Sequence, residues 1–154
     1  MKLKIGDPAP IFTATTTDGG AINLADYLGR KLVLYFYPMD DTPGCTKQAC
    51  SLRDHNGEIR DKGAAVLGIS TQDAESHQRF TTKYQLNFPL VADTDGAIGK
   101  AYGAIGGGGI VNAAVNLLGM ANRITFIIDE SGHIAHMIDK PDCAHHAEEV
   151  LGLL

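Results

Sequence analysis

The run KLVLYFYP, Lys31 to Pro38, limits the architecture more than any other feature of this chain. After its lysine it is continuously apolar, with β-branched and aromatic content, and it does not alternate. A strand of that character is covered on both faces, as a central strand of a parallel or mixed sheet is. AAVLGIS (64–70) has the same buried character, and ITFIID (124–129) supplies a third core strand.

The segments between these runs read as helices. A helical stretch is predicted from Thr42, its N-cap, to about Lys62, with Pro43 at the first helical position and Gly63 ending it. TQDAESHQRFTTKYQL predicts a second helix with Phe80 and Tyr84 one turn apart, and DGAIGKAYG a brief one closed by Gly103. FPLVAD reads as a short extended piece. IFTATTTDGGAINLADY predicts a hairpin in which Phe12 and Ala14 alternate with threonines, Asp18-Gly19-Gly20 turns the chain, and Ile22 and Leu24 resume the pattern. HIAHMID pairs back antiparallel on ITFIID, and a last helix capped by Asp142 puts Ala147, Val150, Leu151 and Leu154 on one face. The expected class is α/β: a thioredoxin fold with an N-terminal β-hairpin extension and a mixed central sheet flanked by helices. No internal repeat or linker divides the chain, so residues 1–154 are expected to form a single domain.

A net charge of −5 without a basic stripe argues against a nucleic-acid partner. No apolar core of a signal peptide follows the N-terminal lysines, and no run nears the ~18 apolar residues of a membrane span. A cytoplasmic protein is expected. Three cysteines, an odd number, then argue against a disulfide framework and for thiol chemistry or plain burial.

Two of them lie in TPGCTKQAC (42–50). Cys45 falls about three positions into the predicted helix, where backbone N–H groups lack intrahelical partners. The helix end offers a thiolate only ~0.3–1 kcal/mol, ~2 at best. A nearby cation is therefore to be sought, and Arg123, at the head of the third core strand, is the candidate. An ordinary surface ion pair is the plain alternative for Arg123. Cys50 lies about 140° around the helix and ~7.5 Å along it. The resulting Cα separation, roughly 8–9 Å, exceeds the ~7 Å a disulfide tolerates. Either the thiols never pair, or the helix unwinds locally when they do; two small buried hydrophobes are the plain alternative. An activated thiolate ringed by donors can attack a peroxide O–O bond, with the Thr42 hydroxyl and first-turn N–H groups holding the oxygens. The sulfenic acid so formed condenses with a second thiol.

YFYPMDDTPGCTKQACSLRD resembles the active-site signature of the peroxiredoxins, P-x-x-x-T-x-x-C, carried by Pro38, Thr42 and Cys45. A second cysteine five residues on resembles the Q-type subfamily, the bacterioferritin comigratory proteins. VLGISTQDAESHQRFTTKYQLNFPLVADTDG and RITFIIDESGHI also read like family segments. The resemblance implies a thiol peroxidase reducing hydrogen peroxide and organic hydroperoxides. Pro38 would shield the site, Thr42 and the Cys45 backbone bind peroxide, Arg123 complete the pocket and Cys50 resolve as a Cys45–Cys50 disulfide. It further implies recycling by thioredoxin or a glutaredoxin-like dithiol donor, with no metal or organic cofactor. Nothing demands more than a monomer, a weak dimer being the alternative.

Three departures stand out. Met39 occupies a position where many relatives carry lysine. Gly106 to Met120 is glycine-rich and apolar, open to reading as a lid, a docking surface, a subunit contact or a buried insertion. Cys143 is an extra thiol at the start of the last helix, reactive or a bystander. Cys143, His145 and His146, with His133 and His136, form no four-ligand pattern, and GGGG lacks the Lys-Ser/Thr of a phosphate loop. Two rival functions are a thiol–disulfide oxidoreductase, which the absent C-x-x-C opposes, and a redox-sensing interaction module.

Overall fold

A computed structural model describes residues 3–105 and 120–154. The glycine-rich stretch, for which those four readings are open, lies outside the described residues up to residue 119. The strand predicted from KLVLYFYP is β3 (Lys31–Phe36), central in a five-stranded sheet of order β5-β4-β3-β6-β7. It pairs in parallel with β4 (Ala64–Ser70) and antiparallel with β6 (Ile124–Ile128). The short β5 (Leu90–Ala92) and β7 (Ile134–Ile138) form the edges. This is the expected mixed sheet. The hairpin is also present, as β1 (Thr13–Thr15) on β2 (Ala21–Asn23), except that Leu24 begins a 3-10 turn instead of prolonging the strand.

Period-two alternation along β3 divides the core into two layers. Val33 and Tyr35, with Tyr37 just beyond the strand, face α1 (Pro43–Asp54), α2 (Asn56–Asp61), α3 (Ala74–Tyr84) and α5 (His146–Leu151), meeting Leu52, Ile59, Phe80 and Val150. Leu32, Leu34 and Phe36 face the other way, towards Phe126, Tyr102 and Ile98, the last on α4 (Ala97–Ala101). Each such side chain contributes about 1.5–3 kcal/mol when fully buried. Gly68 in β4 is demanded by packing, since a Cβ there would lie 2.7 Å from Leu90 and 2.9 Å from the Tyr35 ring.

The single helix expected from Thr42 to Lys62 is two. α1 ends at Asp54 and α2 starts at Asn56. At the junction the His55 backbone N–H turns to Arg53 O, while its ring Nδ1 lies 3.0 Å from Ser51 O, the carbonyl an unbroken helix would have satisfied from the backbone. Asn56 is buried and donates to Asn87 O at 3.1 Å, which anchors α2 separately. The last helix likewise opens with a 3-10 turn, Cys143–His145, capped by Asp142 accepting from Ala144 N. Ala147 and Val150 of α5 are buried, and Leu151 and Leu154 pack beside them, as the stripe predicts. Ala147 N donates to Ser51 Oγ at 3.0 Å, tying α5 to α1.

Candidate active site

Between β3 and α1 the chain must turn sharply, and two consecutive aspartates fix how. Asp41 adopts a positive φ of 60° and accepts from Lys83 Nζ (2.8 Å) and Tyr84 OH (2.6 Å) on α3. Asp40 points inward and accepts from Tyr37 OH (2.6 Å) and Ser76 Oγ (2.7 Å). Its Oδ2 also lies 2.7 Å from Nδ1 of His77, whose Nε2 is 3.0 Å from Val91 O. Burial pushes the Asp40 carboxyl up. Hydrogen bonding and charge from His77, with Tyr37 and Ser76 adding to them, outweigh burial and hold it below the usual carboxylate range.

This pinned loop delivers Thr42 to the helix start. Thr42 is the N-cap residue by backbone position, and Pro43 is N1, as expected. Its side chain makes no cap bond; the hydroxyl instead donates to Met39 O at 3.1 Å. With its proton so occupied, the Thr42 oxygen remains an acceptor. Thr46 N bonds Thr42 O at 2.8 Å and closes the first turn, which places Cys45 at N3. The N-terminal amides of that turn lack intrahelical acceptors.

Cys45 is 1% exposed. Arg123, immediately before β6, donates Nη2 to Cys45 Sγ at 3.2 Å and Nη1 to Gln48 Oε1 at 2.7 Å. The guanidinium thus grips two residues one turn apart on α1. Unit charges ~4 Å apart interact by about 4 kcal/mol at an effective dielectric constant near 20, well above the ~0.3–1 kcal/mol of a helix end. The cation sought from the sequence therefore supplies the larger attraction for a thiolate. Gly44 leaves room for it, because a Cβ there would lie 3.1 Å from Nη2. Behind the sulfur, burial first and the neighbouring Cys45 next push the Tyr35 phenol well above its ordinary range, so it stays neutral. Beyond Arg123, buried His146 bridges Thr125 Oγ1 (2.9 Å) and Glu149 Oε1 (3.0 Å); burial lowers its pKa against the pull of Glu149.

Of the residues singled out from sequence, Cys45 and Arg123 are in direct contact, and Thr42 holds the N-cap position of the same turn by its backbone alone. Pro38 sits half-buried just past Tyr37. Cys50 lies in the same uninterrupted helix, half-buried, and all three cysteines are free thiols. Gln48, Asp40 and His77 were not anticipated. The signal for Gln48 was its position three residues after Cys45, on the same helix face. Among the described residues no group of three or more His, Cys, Asp or Glu side chains converges as metal ligands would, and no helix is long and apolar enough to cross a membrane.

A thioredoxin-like sheet with a buried cysteine in the first turn of the following helix, held by an arginine from the neighbouring strand, defines a thiol-based redox site. Residues 5–137 match the AhpC/TSA family model, and the chain belongs to that family, among the peroxiredoxins of the Bcp and Q type. It is 40% identical over 152 residues to peroxiredoxin Bcp of Escherichia coli, covering 99% of this chain and 96% of that one. Among solved structures, PrxQ of Xylella fastidiosa superposes with a TM-score of 0.88 at 29% identity over 99% of this chain and 95% of its own. The bacterioferritin comigratory protein of Xanthomonas campestris, whose structures concern alkyl peroxide reduction, gives 0.80 at 30% identity, covering 92% and 88%.

Proposed function

We propose that this chain is a thiol peroxidase in which Cys45 is the peroxidatic residue, acting on hydrogen peroxide and organic hydroperoxides. The observation that carries the reading is the 3.2 Å contact from Arg123 Nη2 to the buried Cys45 Sγ, at the open end of α1. The thiolate attacks one peroxide oxygen, the O–O bond breaks, and the departing oxygen leaves as alkoxide or hydroxide and takes up a proton. Thr42 Oγ accepts from the peroxide O–H, first-turn amides donate to the oxygens, and Arg123 offsets the charge that develops as the bond breaks. Pro38 and the fold of the Asp40 loop keep water away from the sulfur.

Cys45 sulfenic acid then condenses with Cys50, releasing water and forming the intramolecular disulfide. In the intact α1 the two Cα atoms stand roughly 8–9 Å apart, so the first turns must open before the sulfurs meet. A dithiol of the thioredoxin or glutaredoxin class returns both to thiols by exchange. The same reading takes residues 1–154 as one cytoplasmic unit, monomeric or weakly dimeric, needing no metal or organic cofactor.

A coupled assay with thioredoxin, its reductase and NADPH, run on hydrogen peroxide and on an alkyl hydroperoxide, tests the proposal. Peroxide-dependent NADPH oxidation that vanishes in Cys45→Ser is expected. Turnover that survives Cys45→Ser would overturn the assignment.

A further inference from the structure

The third cysteine is not remote from this site. The 3-10 turn Cys143–His145 packs directly on α1. A methyl group on Gly44 would stand 3.6 Å from Cys143 Sγ and 3.1 Å from Arg123 Nη2, the same nitrogen that donates to Cys45 Sγ. Gly44 has no side chain, so no side chain of that residue stands between the Cys143 sulfur and the turn that carries Cys45. The cluster also holds a buried donor in want of an acceptor: among the described residues Gln48 Nε2 has no partner, although Gln48 is fully buried and its Oε1 is fixed by Arg123.

The two thiols available to a Cys45 sulfenic acid are held differently. Cys50 lies within the uninterrupted twelve-residue helix that also contains Cys45, so reaching it breaks α1 itself. Cys143 opens a three-residue 3-10 turn on a separate element and is half-buried. A turn of that length carries few backbone bonds to lose when it shifts. Neither ring nitrogen of His146 is free to act on Cys143, since both are engaged, by Thr125 and Glu149. The Arg123 guanidinium contacts Cys45 Sγ directly, and its Nη2 and Cys143 Sγ both border the space beside Gly44. Asp142 and His145, close to Cys143 in the chain, pair with each other at 3.2 Å.

We propose that Cys143 is a second resolving thiol for Cys45, which rests on the reading that peroxide oxidises Cys45 to a sulfenic acid. The Cys143 sulfur attacks the Cys45 sulfur, the S–S bond forms as the S–O bond breaks, and the leaving hydroxide takes the Cys143 proton and departs as water. Cys143 is oxidised and the sulfenic sulfur reduced, with peroxide as the only oxidant consumed. A dithiol reductant reverses the disulfide by exchange. The route runs alongside the Cys50 route and carries the flux when Cys50 is unavailable.

The experiment treats Cys50→Ser and Cys50→Ser/Cys143→Ser proteins with one equivalent of hydrogen peroxide in the presence of dimedone, followed by non-reducing peptide mapping. The single variant is expected to give an intramolecular Cys45–Cys143 disulfide, little dimedone adduct and continued turnover with thioredoxin. The double variant is expected to lose that disulfide, label at Cys45 and stop turning over with thioredoxin. Equal dimedone labelling of Cys45 in both proteins, or only intermolecular disulfides in the single variant, overturns the proposal while leaving Cys45 as the peroxidatic residue. No oxidation of Cys45 in either protein overturns the peroxidase reading and this proposal with it.

Discussion

The two halves of α1 hold their cysteines in opposite surroundings. Cys45 is sealed at 1% exposure beneath a guanidinium, in a turn fixed by Thr42, by Arg123 and by a loop pinned to α3. Cys50, one and a half turns on, is half-buried and near Arg53, outside that cage. In the proposed cycle, the first half serves chemistry that needs an intact helix end, and the second a step that needs the helix open. The break at His55 lets both demands coexist. α1 stops at Asp54, and α2 is anchored on its own through Asn56 and Ile59, so opening α1 need not unravel the α2 layer.

Changes in the first half, or in the residues that hold it, break this contrast most severely. Cys45→Ser is expected to abolish peroxide turnover, read by the coupled assay. His77→Ala removes the buried partner of Asp40 and is expected to cost about 3–5 kcal/mol of stability. Urea unfolding measures it, and a loss under ~0.5 kcal/mol, the range of a surface substitution, would mean that the Asp40 network does not hold the loop. Arg123→Ala is expected to slow Cys45 oxidation about 10²–10³-fold, the scale of one lost transition-state donor of ~2.7–4 kcal/mol. Arg123→Lys should recover only part of the rate, because an ammonium cannot reproduce the fork that grips Cys45 and Gln48 together. Stopped-flow oxidation of the reduced proteins gives both numbers.

Acid is expected to act more gently, in two limbs. Burial lowers the pKa of His146 in the fold, so the unfolded chain takes up its proton first. Stability from His146 is full above ~6.5 and declines as pH falls below that value. Asp40 is also depressed in the fold, so its contribution is full above ~3.9 and lost at lower pH. Denaturant midpoints across pH should therefore sag first in the mildly acidic range. His146→Gln should flatten that limb alone, and an unchanged limb would assign it to another group.

Much of this was legible in the chain because it rests on short-range pattern. Unalternating apolar runs mark strands covered on both faces, and β3, β4 and β6 lie where they were expected. The Cys45–Arg123 contact follows from strand adjacency, since β6 pairs with β3 and Arg123 immediately precedes β6. What escaped is what depends on long-range polar partners. The split at His55 arises when Asn56 bonds to Asn87 across 31 residues, and nothing near Lys62 announces it. Asp40 and His77 meet across 37 residues, and each alone reads as an ordinary polar residue. Thr42 looked like a side-chain cap, but its hydroxyl is diverted to Met39 O by the tight loop that the two aspartates impose.

The central claim is that α1 is closed for the attack on peroxide and open for resolution. Amide hydrogen exchange over residues 45–50, before and after one equivalent of peroxide, tests it most directly. Strong protection in the reduced protein, lost once the Cys45–Cys50 disulfide has formed, is the expected result. Protection that persists unchanged with that disulfide mapped would contradict the account.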